Sequence, residues 1–218
     1  MLVLHQMQMS GNCYKVRLTA RQLDVPLVLR SYPLHGGETR KPDYLAKNPN
    51  GRVPMLEFED GRTLPESDAI IWYLAEGTKL VPESKWDRAQ ALSWMFFEQY
   101  SHEPYIAVAR FWLKYAAKEE MAKKEHLVPE WREKGNAALG VMETHLKKHD
   151  WFAGPRYSVA DIALYGYTHV ADRCDYDLAT FPAIRAWLRR VEQTPGFVTM
   201  DWRPGAEIDD PASVAAGA

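Results

Sequence analysis

The chain has 218 residues, of which 46% are hydrophobic and 26% are charged, and its formal net charge is −2. This length can bury a substantial core and leaves room for two small domains. The composition is that of an ordinary globular protein, and the slightly negative charge argues against nucleic acid as a partner.

Membrane, disulfide and metal signals are all weak in this sequence. The first ten residues lack a basic segment with a long apolar run, and no later stretch approaches the ~20 apolar residues that span a bilayer. We therefore expect a cytoplasmic protein with no membrane partner. Cys13 and Cys174 are the only cysteines, which excludes a disulfide framework and a C-x-x-C site. Suitable ligands do not cluster, so we expect no metal.

Strand and helix patterns alternate in the first 77 residues. The sequence predicts a strand at 2–7, a helix at 11–23, a strand at 26–32, a short helix at 42–46, strands around Pro54 and Thr63, and a helix at about 67–75. Glu59-Asp60-Gly61 supplies the turn between the last two strands. This order suits a compact α/β unit with a mixed four-stranded sheet.

A proline and a helix start give this half its clearest functional signal. Pro54 cannot donate to a strand ladder, so it needs an edge or a special turn, and Val53–Pro54 is a candidate cis peptide bond. Such a bond presents the Val53 amide and carbonyl to an extended peptide. Glu66 and Ser67 open the next helix, whose unpaired amides favour a carboxylate. Together these features predict a binding site for a small peptide.

Only helical patterns follow residue 85. Segments 86–115, 128–148, 159–172 and 184–193 predict a helical bundle. Ser158 and Asp161 form an S-x-x-D capping box, a structural role at a helix start. We place the first domain at residues 1–77, a linker at 78–84, the helical domain at 85–203 and a tail at 204–218. The Pro-, Ala-, Gly- and Asp-rich tail is expected to be loosely ordered.

Four motifs in this order resemble the cytosolic glutathione transferase family over nearly the whole chain. They are SGNCYKV after the first strand, NPNGRVP around the proline, ESDAI at the next helix start and SVADIA in the helical half. The first motif is similar to the serine or asparagine active-site motif of bacterial members. The resemblance implies a thioredoxin-like N-terminal domain followed by an all-α C-terminal helical bundle. It also implies a homodimer, glutathione as co-substrate, an electrophile pocket between the domains and a role in detoxification.

The resemblance implies that the glutathione thiol is activated at the start of the first helix. A free thiol with a pKa of about 8.5 is only slightly ionised at neutral pH. A helix N-terminus and a hydrogen-bond donor both favour the thiolate. We expect Ser10 to be the main donor and Asn12 to contribute. A tyrosine-type mechanism is not expected, because the first strand ends without a tyrosine and Tyr14 lies within the helix, beyond its cap. The alternative for Ser10 is a simple helix cap.

Cys13 has two open roles. In cysteine-type relatives the nucleophilic cysteine occupies the position of Ser10, and Cys13 matches the second, usually buried position. This argues against a dithiol reductase. Cys13 is either a packed, unreactive thiol or a thiol that forms a mixed disulfide with glutathione, if its helix-terminal location lowers its pKa.

The same resemblance implies residues for the rest of the tripeptide. Glu66 meets the γ-glutamyl ammonium and Ser67 the adjacent carboxylate, while Val53 and Pro54 present the backbone edge. The glycyl carboxylate needs a cation, which Arg52 and, less directly, Arg40 can provide. For Arg40, an exposed side chain without a ligand contact is the alternative.

The aromatic segment from residue 94 to 105 is implied to supply dimer contacts and part of the electrophile pocket. The candidates for this pocket are Tyr100, Tyr105, Arg110 and Phe111. Pro104 is expected to kink the helix. His102 beside Glu103 suggests an acid–base group, but we expect a surface histidine with its polar atoms satisfied.

The sequence therefore predicts a glutathione transferase that forms the thiolate of glutathione and conjugates it to a hydrophobic electrophile. Two alternatives stay open. One is a glutathione-dependent peroxidase or disulfide reductase that uses the same site, and the other is a non-catalytic interaction protein with this fold.

Overall fold

The computed structural model describes residues 1–205 and divides into two compact units. Within the described residues, one consists of Met1–Glu76 together with residues 195–205, and the other of Gly77–Thr194. The predicted linker at 78–84 falls within the second unit. Residues 206–218, and with them most of the predicted tail, lie outside the described residues.

The first unit is built on a mixed four-stranded sheet. Its strands are β1 (Leu2–Gln6), β2 (Leu27–Ser31), β3 (Met55–Glu57) and β4 (Thr63–Pro65). Their spatial order is β2-β1-β3-β4, with β1 parallel to β2 and the other two pairs antiparallel. Leu4 lies between Leu29 and Leu56 in the ladder, and all three side chains are fully buried. The central strands thus form the core of this unit.

Three helices accompany the sheet: α1 (Gly11–Gln22), α2 (Pro42–Lys47) and α3 (Ser67–Ala75). The parallel β1–β2 pair needs a crossover connection, and α1 provides it. Helices α1 and α3 pack against each other. This arrangement confirms the thioredoxin-like fold that the resemblance implies, and it brings the starts of two helices together.

Residues 195–205 return to the first unit. Tyr14 Oη donates to the Val198 carbonyl at 2.6 Å, and the side chains of Gln8 and Arg17 donate to the Met200 carbonyl at 2.8 Å each. The sequence predicts residues 195–203 as part of the helical domain, but the structure ends that unit at Thr194. These contacts join residues more than 180 positions apart, so no local pattern reveals them.

The second unit is entirely helical over residues 77–194, apart from its loops. Its helices are α4 (Lys85–Phe97), α5 (Glu103–Lys114), α6 (Lys118–Ala122), α7 (Val128–Leu146), α8 (Val159–Thr168) and α9 (Pro182–Glu192). The helical bundle is therefore confirmed. A π-helical turn at Glu98–His102 separates α4 from α5, and Pro104 stands in the first turn of α5. The sequence predicts one helix there and does not predict α6.

The capping box at the start of α8 is confirmed. Ser158 Oγ accepts from the Ala160 amide at 3.3 Å, and the Ser158 amide donates to Asp161 Oδ2 at 3.0 Å. Trp187 Nε1 donates to the other Asp161 oxygen at 2.9 Å, which ties α8 to α9. Across residues 1–205, no helix is both long enough and apolar enough to cross a membrane.

Candidate functional site

Ser10 lies between β1 and α1 and is the N-cap of that helix. Its backbone is extended, and its Oγ accepts from the Cys13 amide at 3.3 Å. A hydroxyl that accepts one hydrogen bond keeps its own proton for donation. The structural and the catalytic roles predicted for Ser10 are therefore compatible.

Asn12 and Ser67 join the starts of α1 and α3. Ser67 is the first residue of α3 and is buried, and its Oγ donates to Asn12 Oδ1 at 3.3 Å. Each helix start carries unpaired amides and the positive end of a helix dipole, so both favour anions. The structure thus brings together two regions that lie 55 residues apart in the sequence.

Glu66 precedes α3 in an unusual backbone conformation. Its φ is 70° and its ψ is 115°, a backbone conformation that residues other than glycine rarely adopt. The Glu66 side chain is exposed. Its carbonyl accepts from the Ile70 amide at 2.9 Å as the first bond of the helix. Strained residues of this kind cluster at ligand sites. Glu66, with its exposed side chain, therefore directly precedes Ser67 at a strained helix start.

The Val53–Pro54 peptide bond is cis, as predicted. Tyr44 Oη and Asn48 Nδ2 donate to the Arg52 carbonyl at 2.6 and 2.9 Å, which fixes the chain just before this bond. Val53 itself is half-buried and Pro54 is buried.

The two candidate cations for the glycyl end differ in their surroundings. Arg52 and Arg40 are both exposed. Arg40 Nη1 donates to the Asn50 carbonyl at 3.0 Å and so supports the turn at residues 48–51. This contact favours a structural role for Arg40, whereas the exposed Arg52 is next to Val53.

Cys13 is packed in the interior of the first unit. Its side chain is fully buried, and its Sγ accepts from the Met7 amide at 3.4 Å. Burial raises the pKa of the Cys13 thiol above its ordinary value, although the Ser10 hydroxyl opposes this. The thiolate is the reactive form, so these surroundings favour an unreactive thiol over a mixed disulfide.

Lys15 and Asp68 form a buried ion pair next to Ser67. Lys15 Nζ lies 3.2 Å from Asp68 Oδ1, and the Lys15 side chain is fully buried. Burial raises the pKa of Asp68, and Lys15 opposes this effect. Neither residue carries a sequence signal for the contact, because the two lie 53 positions apart.

The candidate pocket residues of the second unit have different environments. Tyr100 is 84% exposed, and it lines a groove of about 570 Å³ together with Tyr105. The Lys134 ammonium lies 5.2 Å from the centre of the Tyr105 ring. Phe111 is exposed, whereas Arg110 is buried and donates to Tyr115 Oη at 2.8 Å. Arg110 and Phe111 are not among the residues that line this groove.

His102 is fully buried, and its Nε2 lies 2.9 Å from Thr168 Oγ1. The expectation of a surface histidine is therefore wrong. The π-helical turn places this side chain inside the bundle, and the sequence gives no sign of that turn. Within the described part of the chain, His, Cys, Asp and Glu side chains form no group of three or more that could hold a metal ion.

Two family models match this chain. The glutathione S-transferase N-terminal domain model matches residues 4–80, and the C-terminal domain model of the same family matches residues 93–195. These regions correspond to the sheet-containing unit and to most of the helical unit.

Solved structures and a curated relative agree with these matches. A possible glutathione S-transferase from Rhodopseudomonas palustris is 56% identical, with a TM-score of 0.90 over 100% of this chain and 97% of that chain. The disulfide-bond oxidoreductase YfcG of Escherichia coli is 26% identical over 193 residues, covering 85% of this chain and 88% of its own. The glutathione transferase URE2P6 of Phanerochaete chrysosporium, in complex with oxidized glutathione, is 24% identical with a TM-score of 0.78, over 89% and 92% of the two chains. At that identity the likeness shows the fold alone.

Proposed function

Because the chain belongs to the glutathione S-transferase family, we propose that it binds glutathione in the first unit and conjugates its sulfur to a hydrophobic electrophile. The observation that carries the proposal is the contact between Ser67 and Asn12. It joins the helix start suited to the γ-glutamyl carboxylate with the helix start suited to the thiolate.

The γ-glutamyl end of the ligand meets α3. The Ser67 hydroxyl and the unpaired amides of α3 donate to its carboxylate, and the exposed Glu66 carboxylate accepts from its ammonium. The Val53 backbone runs alongside the cysteinyl part. Arg52 is the cation for the glycyl carboxylate, and its exposed position supports this assignment.

The thiol end meets α1. Ser10 donates its hydroxyl proton to sulfur, and the Asn12 amide contributes a second donor. Lowering the thiol pKa by one unit requires about 1.4 kcal/mol in favour of the anion. A hydrogen bond to a charged group contributes about 1.5–3 kcal/mol, so Ser10 alone can supply this difference.

The reaction is a nucleophilic addition or substitution by the bound sulfur. The thiol proton leaves to solvent, the thiolate forms a carbon–sulfur bond, and the electrophile either releases its leaving group or takes up a proton. The protein provides thiolate stabilisation and proximity, and no side chain of this chain forms a covalent intermediate. Tyr100 and Tyr105 are the leading candidates for contact with the electrophile, since both line a groove.

The finer properties belong to the same proposal. We place the protein in the cytoplasm as a homodimer, with a role in the detoxification of reactive electrophiles. The family fold, together with three exposed aromatic residues on α4 and the following turn, Trp86, Phe96 and Tyr100, supports a dimer.

Disulfide reduction is the second candidate, and the similarity to the disulfide-bond oxidoreductase YfcG favours it. In that reaction the bound glutathione thiolate attacks a disulfide sulfur, forms a mixed disulfide and releases the other sulfur as a thiolate. This chemistry uses the same activated thiolate and needs no protein cysteine. Turnover with a disulfide and with an aryl halide, compared at equal enzyme concentration, separates the two activities.

The test compares the wild type with Ser10→Ala and Ser67→Ala. Titration calorimetry with reduced glutathione at millimolar concentration gives the affinity, and an aryl halide gives the rate. We expect Ser67→Ala to weaken glutathione binding about tenfold and Ser10→Ala to lower kcat about tenfold, each by the loss of one hydrogen bond to an anion.

Ser84→Ala is the matched control. Ser84 is also an N-cap serine, with its Oγ 3.0 Å from the Asp87 amide, but it belongs to the helical unit. It should lower stability and leave glutathione kinetics unchanged. A wild type that produces no heat and no retention on immobilised glutathione would refute the proposed function.

A further inference from the structure

Arg17 is a buried cation on α1 that connects three separate segments of the first unit. It has no exposed surface. Its guanidinium donates to Gln6 Oε1, to the Gln8 carbonyl at 3.0 Å and to the Met200 carbonyl at 2.8 Å. Gln6 ends β1, Gln8 lies in the turn between β1 and α1, and Met200 belongs to the returning segment, residues 195–205. Arg17 therefore joins the sheet, the turn and the returning segment.

The three acceptors suit a guanidinium. Nη2 carries two hydrogens and meets the two carbonyls, while Nη1 meets Gln6. All three acceptors are neutral, so hydrogen bonds to them hold the group in place. A lysine has a single nitrogen and cannot reproduce the planar arrangement of two terminal nitrogens. The geometry of these contacts is thus specific to arginine.

The contacts converge on Gln8. Gln8 Oε1 accepts from Gln6 Nε2 at 3.2 Å, and Gln8 Nε2 donates to the Met200 carbonyl at 2.8 Å. Since Arg17 donates to the Gln8 carbonyl, both the backbone and the side chain of this residue are held. Each amide nitrogen here has a hydrogen for its acceptor, so all these bonds can form at once. We call this set of contacts around Gln8 the turn clamp.

The clamped turn leads directly into Ser10. Ser10 follows Gln8 by two residues, and its amide donates to the Met7 carbonyl at 3.1 Å, which closes the turn. Ser10 is also the N-cap of α1, so the position of its Oγ depends on where the turn ends. Loops move more than the elements they connect, and a misplacement of about 1 Å can lower a rate about a hundredfold. Movement of Gln8 would therefore displace the hydroxyl proposed to donate to sulfur.

We propose that Arg17 is a positioning residue of the thiol site, which fixes the turn before α1 and so directs the Ser10 hydroxyl to the sulfur of glutathione. This role rests on the proposed function. Arg17 acts through Gln8 and not by contact with the ligand. The returning segment then takes part in thiol activation, because the Met200 carbonyl completes the turn clamp.

Arg17→Lys is the first test, because it keeps the positive charge and loses one of the two terminal nitrogens. We expect the thiol pKa of bound glutathione to rise by about half a unit. At about pH 6.5, kcat should fall about threefold, since the thiolate fraction below the pKa falls about tenfold per unit. The kcat–pH profile should move to higher pH by the same amount. The KM for glutathione should stay within about twofold, because the γ-glutamyl contacts at α3 are intact.

Two further variants separate the turn from the returning segment. Gln8→Ala removes the side-chain part of the turn clamp without changing a charge, and it should raise the thiol pKa as Arg17→Lys does. Tyr14→Phe is the matched control, since Tyr14 Oη donates to the Val198 carbonyl of the same returning segment at 2.6 Å. It should lower Tm and leave the thiol pKa unchanged.

Hydrogen exchange locates the effect within the chain. The Ser10 amide is protected by its bond to the Met7 carbonyl. We expect this amide to exchange faster than in the wild type in both Arg17→Lys and Gln8→Ala, and at the wild-type rate in Tyr14→Phe. A purely structural Arg17 would lower Tm without this local change.

Three results would overturn the positioning role. Arg17→Lys with the wild-type thiol pKa would show that the guanidinium geometry does not matter. An equal rise in the thiol pKa of Tyr14→Phe would show that any loosening of the returning segment has this effect. Activity that follows Tm alone across the three variants would leave Arg17 a purely structural residue. If Arg17→Lys does not fold, Gln8→Ala decides, because Gln8 is only half-buried.

The wild type separates this role from the proposed function. If glutathione bound to the wild type titrates as the free thiol does, the proposed function falls first and the positioning role falls with it. A lowered thiol pKa that none of the variants alters refutes the positioning role alone.

Discussion

Replacing Glu66 by glycine should stabilise the protein while it weakens glutathione binding. Glu66 has φ 70° and ψ 115°, a conformation that costs a residue with a Cβ about 1–3 kcal/mol. Glycine adopts it freely but loses about 0.4–1 kcal/mol more chain entropy on folding. The net gain is therefore about 1 kcal/mol. For a chain of this size it corresponds to a rise in Tm of about 2–4 °C.

The same substitution removes the carboxylate proposed to meet the γ-glutamyl ammonium. A hydrogen bond between charged groups contributes about 1.5–3 kcal/mol, so the Kd for glutathione should rise by about tenfold to a hundredfold. Glu66→Ala is the matched variant, since it removes the carboxylate but keeps a Cβ at the strained position. It should lose affinity to the same degree and gain no stability.

Calorimetric unfolding measures the first effect, and titration calorimetry with reduced glutathione measures the second. Stability should rise and glutathione affinity should fall in Glu66→Gly. A glycine variant that is less stable than the alanine variant would refute the assignment of strain. Unchanged affinity in both variants would refute the role of the carboxylate.

Three further predictions concern titration, thiol reactivity and the helical unit. Burial lowers the pKa of His169 from 6.5 to about 4, so the folded state resists protonation and the free energy of unfolding falls as the pH drops below the pKa of the unfolded chain. Between about pH 7.5 and pH 5 this loss is about 2 kcal/mol, and urea unfolding of His169→Phe should show a smaller loss. Burial raises the pKa values of Cys13 and Cys174, the latter to about 11, so neither should react with a thiol reagent before unfolding, and Cys13→Ala should retain activity; rapid native labelling would contradict this. Ser158→Ala should cost about 1 kcal/mol by loss of the cap, seen as a lower Tm, while glutathione affinity stays unchanged.

Local patterns were sufficient to predict most of the fold. The bounds of α3, Ser67–Ala75, match the prediction, and the ends of β1, β2, α1 and α2 differ from their predicted bounds by at most one residue. The last two strands were predicted without bounds, and Pro54 lies just before β3 rather than within it. Caps and turns explain this success, because Ser10, Pro42 and the S-x-x-D motif mark helix starts by short-range chemistry. The cis bond at Val53–Pro54 was also indicated locally, by a proline before an apolar run.

Features that depend on distant contacts could not be predicted. Residues 195–205 return to the first unit through bonds from Gln8, Tyr14 and Arg17 to backbone carbonyls. Every residue has a backbone carbonyl, so the sequence does not mark these acceptors. The π-helical turn that contains the buried His102 has no marker in the local sequence. The pairing of Lys15 with Asp68 is likewise a consequence of how α1 packs against α3.

The thiol pKa of bound glutathione tests the central claim most directly. Titration of the ultraviolet absorbance of the thiolate, at saturating protein, gives this value for the wild type, Ser10→Ala and Asn12→Ala. We predict that the thiol pKa of bound glutathione is at least about one unit below that of free glutathione. Both variants should reduce this shift, and Ser10→Ala should reduce it more than Asn12→Ala. A bound thiol that titrates as it does in free solution would contradict the account.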